Sequence, residues 1–217
     1  MSWVAGWFSG IQLDRQILMF SLVLNPKSPF YNTFKHLLTS LSQWFQSCLW
    51  PTDVVVLERN SRDVHERIRQ INETAEQLCD TLQQHPRGTL VISWLVYGYS
   101  FVVVACVYYP KYMDRDVYNS FRRPDGGYGG LFSLVLRSSD NSDREAKHFY
   151  DHLSIKKGPS LGTNFTLACP YTLLAHYNEL DDVQRFGVDR TLIRVSVGLQ
   201  PIDELIDIFT RALDLLN

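Results

Sequence analysis

A loop of small and hydroxylated residues, followed later by a single arginine in an apolar strand, is the first feature of this sequence that could do chemistry. The loop is Gly158–Thr166, which reads Gly-Pro-Ser-Leu-Gly-Thr-Asn-Phe-Thr, and the arginine is Arg194 within Leu192–Gly198. Backbone amides and a guanidinium can converge on an anion, and a guanidinium can bind a carboxylate through two parallel hydrogen bonds. The pattern therefore indicates an anion or carboxylate site, although its spacing alone defines no known motif.

Two other groups of residues invite a chemical interpretation. His148 and His152 lie four residues apart, as metal ligands on a helix can, but nothing around them resembles the HExxH motif. We interpret them as surface histidines and predict no metal site. The loop Arg122–Gly130 is rich in glycine, yet its spacing is neither GxxxxGK[ST] nor GxGxxG, so we predict a turn that leads into a strand and not a phosphate site.

The composition is that of an ordinary globular domain. The chain has 217 residues, of which 45% are hydrophobic and 20% charged, and this is enough to bury a core. A net charge of −2, with no cluster of lysine and arginine, argues against a nucleic-acid partner. The four cysteines form no CxxC pair, which favours free thiols in a reducing compartment, and we expect a cytoplasmic location.

The elements that must position the loop and the arginine follow from hydrophobic periodicity. Apolar residues three and four positions apart predict helices at Ser28–Leu41, in a long segment that follows Pro51 and reaches Gln84, at Asp143–His152 and at Asp203–Leu216. The charged run Glu58–Asp63 within the long segment is interpreted as a solvated or salt-bridged helix face. Strands are predicted at Leu131–Leu136 and Leu192–Val197. These elements indicate a small α+β domain from about Tyr109 to Asn217, in which the last two helices cover one side of a sheet.

One uncharged stretch, Gly88–Tyr109, does not fit this pattern. It is long enough to cross a bilayer as a helix. Its flanking residues Arg87 and Lys111 give no orientation bias, and its β-branched and aromatic residues favour buried strands as much as helices. A membrane-anchored protein is therefore the less favoured alternative.

Many segments of the chain resemble the Cys/Met-metabolism pyridoxal-phosphate (PLP) enzymes, and most closely the fungal type of cystathionine γ-synthase. They are Ser21–Tyr31, Trp50–Asp53, Leu57–Asp63, Ile71–Asn72, His85–Pro86, Tyr108–Tyr112, Arg122–Leu131, Gly158–Phe165, Pro170–His176, Phe186–Asp189 and Leu192–Leu199. The resemblance implies an α+β/α/β fold class, the C-terminal part of a fold-type I PLP-dependent transferase. Such a part contains the end of the large domain, a long connecting helix, and a small domain whose antiparallel sheet is covered by helices.

The resemblance also implies roles for two residues of the loop and strand. Arg194 matches the arginine of the R-x-S-x-G strand, which binds the substrate α-carboxylate, and Ser160 matches the serine of the SLG motif, which lies beside the substrate. Two positions depart from the wider family: Phe165 stands where many relatives have a glutamate tied to substrate choice, and Gln200 replaces the usual glutamate after the final glycine. We expect substrate binding by Arg194 and Ser160, with the acyl group and the thiol left open.

The cofactor implied by the resemblance is PLP, held in this family as a Schiff base with a lysine while the pyridine ring acts as an electron sink. That lysine should precede a Phe-Ser-Gly-like motif. Phe8–Gly10 matches the motif, and the lysine position is then Gly6. We therefore predict no catalytic and no cofactor-binding residue in this chain, and we expect a C-terminal portion that is inactive alone.

The resemblance implies transsulfuration, in which cysteine replaces the γ-acyloxy group of an O-acylhomoserine. The expected partners are these amino-acid substrates and further copies of the chain in a homo-oligomer. The alternative is a non-catalytic remnant that binds a full-length paralogue, because exposed apolar faces would seek a partner. The predicted domain limits are residues 1–50 for a remnant of the large domain, 51–87 for the connecting helical segment, 88–107 for an apolar insertion and 108–217 for the small domain.

Overall fold

The computed structural model describes residues 7–9, 18–20, 24–43, 50–85, 102–138 and 141–216. The chain forms two compact units, Met1–Val64 and His65–Asn217. The domain limits given above stay a prediction. Gly6 lies outside the described residues, as does the part of the uncharged stretch that precedes Val102.

The described residues of the first unit form two short strands and two helices. Strand β1 (Trp7–Ser9) pairs antiparallel with β2 (Leu18–Phe20), and helices α1 (Tyr31–Ser42) and α2 (Pro51–Ser61) follow. Pro51 begins α2 because its fixed φ suits the first helical turn and its missing N–H is not needed there. The helix predicted from Ser28 is confirmed as α1, although no residue of α1 is buried.

The long helical segment predicted after Pro51 is divided in two. Helix α2 ends at Ser61, and helix α3 (Val64–Gln84) begins three residues later, ending where the prediction placed its end. The charged run at the division is confirmed as a salt-bridged surface, because the Arg62 guanidinium lies 2.9 Å from the Glu58 carboxylate and both side chains are mostly exposed. Exposed pairs of this kind contribute little to stability, about 0–1 kcal/mol.

The described residues of the second unit form a five-stranded sheet with helices around it. In chain order its elements after α3 are β3 (Val102–Tyr108), α4 (Arg115–Phe121), β4 (Leu131–Ser138), α5 (Ser142–His152), β5 (Lys156–Lys157), β6 (Leu167–Pro170), α6 (Tyr171–Ala175), α7 (Leu180–Arg185), β7 (Ile193–Ser196) and α8 (Ile202–Asp214). The strand order is β3-β4-β7-β6-β5, and all neighbours are antiparallel except β5 and β6. The predicted α+β arrangement is confirmed, and β7 is its middle strand.

The two faces of the sheet differ because successive side chains of a strand point to opposite sides. Ile193 and Val195 of β7 are buried in the core. The same core holds Phe132 of β4, whose ring centroid lies 6.2 Å from that of Phe209 on α8, and Phe149 of α5 lies equally close to Phe209. Burying such a side chain contributes about 1.5–3 kcal/mol. Helices α5 and α8 thus cover this face, as predicted, and Arg194 belongs to the other.

The glycine-rich loop before β4 packs closely against helix α3. It leads directly into the strand, as predicted. A Cβ at Gly130 would lie 2.2 Å from Cγ2 of Ile71 on α3, and one at Gly127 would lie 2.6 Å from Cβ of Asn72. The Tyr109 hydroxyl donates to the Gly129 carbonyl at 3.0 Å. The glycines therefore allow this loop to lie directly against α3.

An ion-pair cluster ties the end of β3 to α3. Lys111 Nζ lies 2.8 Å from carboxylate oxygens of both Glu76 and Asp80, and the Tyr112 hydroxyl donates to Asp80. Partial burial raises the pKa of the Asp80 carboxyl, but the hydrogen bonds from Lys111 and Tyr112 outweigh it, so the pKa lies below its usual value. The charged form of Asp80 is therefore favoured by folding.

Replacing Asp80 by Asn is expected to lower the free energy of unfolding at pH 7 by about 0.5–1 kcal/mol, because the pair is only partly shielded from water. Since folding lowers the pKa of Asp80, this contribution is present above about pH 4 and is lost as the pH falls through the folded-state pKa. Urea titrations of the full chain at several pH values measure it. Asp207→Asn, which removes an exposed pair with Arg211 on α8, is the matched control. If Asp80→Asn lowered the free energy of unfolding by the same amount at low pH as at pH 7, the contribution of Asp80 would not be electrostatic.

The described residues bear on two hypotheses from the sequence, a membrane-spanning helix and a metal site at His148 and His152. No helix among the described residues is long and apolar enough to span a membrane. The His148 and His152 rings lie 4.2 Å apart, and His152 Nδ1 is 2.8 Å from the His148 carbonyl. The described parts of the chain hold no group of three His, Cys, Asp or Glu side chains that could bind a metal.

Candidate functional site

Arg194 occupies the middle of the sheet. In the register of the strands it stands between Ser133 of β4 and Cys169 of β6. Its neighbours along β7 are core residues, so its side chain leaves the sheet on the face opposite to α5 and α8. Arg194 is half-buried there. The strand thus carries the arginine on a rigid support.

The guanidinium of Arg194 is oriented from two directions. Its Nη2 donates a hydrogen bond to the Pro159 carbonyl, and its Cζ lies 4.8 Å from the centroid of the Tyr171 ring. An arginine over an aromatic ring is attracted by the negative face of the ring. Across the strand pair, burial raises the pKa of the Cys169 thiol, and the nearby positive charge of Arg194 opposes that rise. A guanidinium carries more N–H donors than these contacts use.

The contact with Pro159 brings the two predicted site residues into one region. Ser160 follows Pro159 directly and is exposed to solvent. Arg194 lies 35 residues from Pro159 in the sequence, and the hydrogen bond to the Pro159 carbonyl brings the arginine beside the loop. A carboxylate bound by the guanidinium of Arg194 would therefore lie beside the loop that carries Ser160.

The loop is fastened to β7 at its glycine turn. Gly162 has φ +69°, a left-handed conformation that glycine adopts without steric cost. Its N–H donates to the hydroxyl of Ser196 at 3.2 Å. Ser196 is buried and lies two positions after Arg194, on the same side of the strand. One strand therefore supplies both the guanidinium and a hydroxyl that holds the loop.

A second joint fastens the end of the loop to the segment after β7. The buried hydroxyl of Thr166 accepts from the Gly198 N–H at 3.0 Å and donates to Gln200 Oε1 at 2.7 Å. The Thr166 N–H donates to the same Gln200 oxygen at 2.9 Å, and the Leu199 N–H donates to the Asn164 carbonyl at 2.8 Å. Gln200, where the resemblance implies a glutamate in the wider family, is thus an acceptor within this joint.

Close packing at Gly198 completes the joint. A Cβ at Gly198 would lie 2.4 Å from the carbonyl carbon of Phe165 and 2.7 Å from the carbonyl oxygen of Asn164. These are backbone atoms, so the loop can approach only a glycine. Phe165, where the resemblance implies a glutamate in many relatives, is therefore held by its main chain. Both departures from the family pattern meet at this one joint.

Three residues of this region were not predicted from the sequence as site residues. Ser196 and Thr166 lie within the two segments that drew attention to the site, but nothing in their types showed which backbone group each would bind. Tyr171 begins a helix, and the sequence carries no signal that its ring meets a residue 23 positions later. Only the pairing of β6 with β7 brings Tyr171 beside Arg194.

A separate cavity of about 410 Å³ lies on the other face of the sheet. It is lined by Asp143, Ala146, Lys147, Tyr150, Asp151, Pro170, Leu173, Arg190, Thr191 and Ile193. Ile193 and Arg194 are consecutive in β7 and point to opposite faces, so this cavity does not include the guanidinium. The ion pair of Arg190 Nε with Asp143 at 3.2 Å lies among its lining residues.

Comparisons with known proteins agree on one family. Residues 31–214 match the family described as Cys/Met metabolism PLP-dependent enzyme. The chain is 45% identical over 207 residues to a cystathionine gamma-synthase of Neurospora crassa and 40% identical over 211 residues to one of Saccharomyces cerevisiae. Both alignments cover 95% of this chain, but 29% and 30% of the relatives. The chain therefore spans less than a third of the length of these curated relatives.

A solved structure shows the same fold. The crystal structure of a cystathionine gamma lyase from Micromonospora echinospora aligns with a TM-score of 0.58 and 22% identity, over 75% of this chain and 38% of that one. This likeness confirms the predicted fold class, a portion of a fold-type I PLP-dependent enzyme.

Proposed function

Because this chain belongs to the Cys/Met metabolism PLP-dependent enzyme family, we propose that it supplies the substrate-carboxylate site of a transsulfuration enzyme of the cystathionine γ-synthase type. In that reaction the bond between Cγ and the acyloxy oxygen of an O-acylhomoserine breaks. The sulfur of cysteine bonds to Cγ, and the acyl group leaves as a carboxylate while the thiol proton is released. The α-carboxylate of the O-acylhomoserine is the group that this chain holds.

The observation that carries the proposal is the orientation of Arg194. Its guanidinium is held between the Pro159 carbonyl and the Tyr171 ring, beside the exposed Ser160. A planar guanidinium held in this way can offer two parallel N–H donors to a carboxylate, which a lysine ammonium cannot do. Ser160 adds a hydroxyl that can donate to, or accept from, a polar group of the bound amino acid.

The residues around Arg194 fit the substrate and not the cofactor of the family. Arg194 contacts Pro159 and Tyr171 and stands opposite Cys169 in the strand register, and none of these three residues offers an amine for a Schiff base. Lys111 is bound by Glu76 and Asp80, and Lys157 donates to carbonyls at the end of α5. We therefore propose substrate-binding roles for Arg194 and Ser160 and no cofactor-binding role for either.

The proposed role in the reaction is orientation. Fixing the carboxylate at Arg194 removes rotational freedom of the amino acid before the chemical step, and well-oriented reactants gain much of their rate from this effect. The loop is fastened to β7 through Ser196 and to the segment after it through Gln200, so its backbone needs little rearrangement when the amino acid binds. A site preorganised in this way loses less conformational entropy on binding.

A binding experiment tests this proposal directly. We expect O-acetyl-L-homoserine, titrated into the isotopically labelled full chain at neutral pH, to shift the NMR signals of Arg194 and of residues 158–162. O-acetyl-L-homoserinamide, which lacks the carboxylate, is the matched control ligand and should leave these signals in place. Equal shifts with both ligands, or no shift at Arg194 with the acid, would rule out the carboxylate site.

A further inference from the structure

We propose that Tyr171 is a positioning residue for Arg194, and that its ring face keeps the guanidinium in the orientation that receives a carboxylate. The inference rests on the proposed function of Arg194 as the carboxylate-binding group. It adds a residue that acts through Arg194 without touching the substrate.

Tyr171 is anchored to the strand that carries Arg194. It follows Pro170, which pairs with Ile193 at the end of the β6–β7 ladder. The Tyr171 N–H then donates to the Leu192 carbonyl at 3.1 Å, which continues the pairing for one more residue. The main chains of Tyr171 and β7 are therefore linked, so that the ring and the guanidinium are set on one rigid support.

The ring of Tyr171 is supported on a second side. Its centroid lies 5.9 Å from that of His176, with the two ring planes at 76°, the edge-to-face arrangement that aromatic pairs prefer. His176 Nδ1 in turn lies 2.6 Å from Glu179 Oε1. A chain of contacts thus runs from Glu179 through His176 to Tyr171, and Arg194 stacks on the ring at the end of it.

The geometry distinguishes the ring from the hydroxyl. Arg194 Cζ lies 4.8 Å from the ring centroid, which places the guanidinium over the aromatic face. The hydrogen bond to Pro159 fixes a second point of the same group. Two contacts in different directions define the plane of a flat guanidinium, whereas a single hydrogen bond leaves it free to rotate. Phenylalanine should therefore replace Tyr171 in this role, and an aliphatic residue should not.

The orientation can be measured without any enzymatic activity. An aromatic ring shifts the NMR signals of protons above its face upfield, so we expect the side-chain protons of Arg194 in the full chain to show such a shift. Tyr171→Phe should keep the shift and Tyr171→Leu should remove it. The matched control is Tyr177→Leu, because Tyr177 is 73% exposed and should not affect Arg194.

The consequence for binding follows from the same variants. Loss of a cation–π contact should weaken binding of O-acetyl-L-homoserine by about three- to tenfold in Tyr171→Leu. Tyr171→Phe and Tyr177→Leu should bind like the wild type. If Tyr171→Leu does not fold, Tyr171→Met takes its place. If the side-chain protons of Arg194 show no upfield shift in the wild type, that result alone overturns the proposal.

The outcome separates this inference from the proposed function. If Tyr171→Leu binds O-acetyl-L-homoserine like the wild type while Arg194→Gln loses binding, Tyr171 is not a positioning residue and the carboxylate site stands. If Arg194→Gln also binds like the wild type, the proposed function fails, and with it the positioning role in binding. The ring-current shift then shows only whether the stacked geometry exists.

Discussion

Replacing Arg194 by Gln is expected to weaken binding of O-acetyl-L-homoserine to the full chain by about 100-fold, since a hydrogen bond to a charged group contributes about 1.5–3 kcal/mol and a guanidinium can make two of them to one carboxylate. Arg194→Lys keeps the charge but loses the planar fork, so we expect a loss of about tenfold or more. Lysine would also lose the stacked fit against Tyr171. Titration calorimetry or NMR titration measures both affinities.

The control for this prediction is Arg190→Gln. Arg190 lies just before β7 and pairs with Asp143, away from the Gly158–Thr166 loop. The Arg190→Gln variant should therefore bind O-acetyl-L-homoserine as tightly as the wild type. Equal affinities for Arg194→Gln and the wild type would remove Arg194 from the site.

Replacing Gly198 by Ala is expected to cost about 3–5 kcal/mol of unfolding free energy, at the upper end for a single substitution. The new Cβ would lie 2.4 Å from the carbonyl carbon of Phe165 and 2.6 Å from its Cα. Backbone atoms cannot rotate away as a side chain can, so the loop and the segment after β7 must separate. That movement would break the hydrogen bonds between Gly198 and Thr166 and between Leu199 and Asn164.

Urea denaturation of the full chain measures this loss. Gly158→Ala is the matched control, because its Cβ would meet only Leu167 Cδ2 at 3.8 Å, an ordinary contact. The control should change the unfolding free energy by less than about 1 kcal/mol. A folded Gly198→Ala chain should also bind O-acetyl-L-homoserine more weakly, because the loop beside Arg194 has moved. A stability close to that of the wild type would show that this joint is not closely packed in solution.

Helices α5 and α8 and strands β4 and β7 could be predicted because their signals are local. Helix α8 buries Leu205, Phe209, Ala212 and Leu213, which share one face at helical spacing, and helix α5 begins after Asn141, whose side chain accepts from the Arg144 N–H. The break between α2 and α3 at residues 62–63 was missed. No proline or glycine stands there, and the local signal is an N-cap pattern instead, in which Asp63 directly precedes α3 and Glu66 follows three residues later.

The site could be predicted only in outline. The R-x-S-x-G strand and the SLG loop pointed to Arg194 and Ser160 through their resemblance to a family. The sequence contained no information on what orients the guanidinium, because Pro159 and Tyr171 become its neighbours through a loop and a strand pair. Likewise, Gln200 looked like an isolated departure from the family pattern until its oxygen was found to accept from both the N–H and the hydroxyl of Thr166.

The amino-acid sequence by itself therefore determined the family, helices α3, α5 and α8, strands β4 and β7 and the identity of the arginine, since each depends on residue types at short spacing. Tertiary structure alone decided the register that sets Arg194 between Ser133 and Cys169 and the stacking of its guanidinium on Tyr171. It also decided the approach that admits only glycine at Gly198. The physical reason is that these contacts join residues far apart in the chain, and their geometry is set by strand pairing and packing that no local pattern encodes.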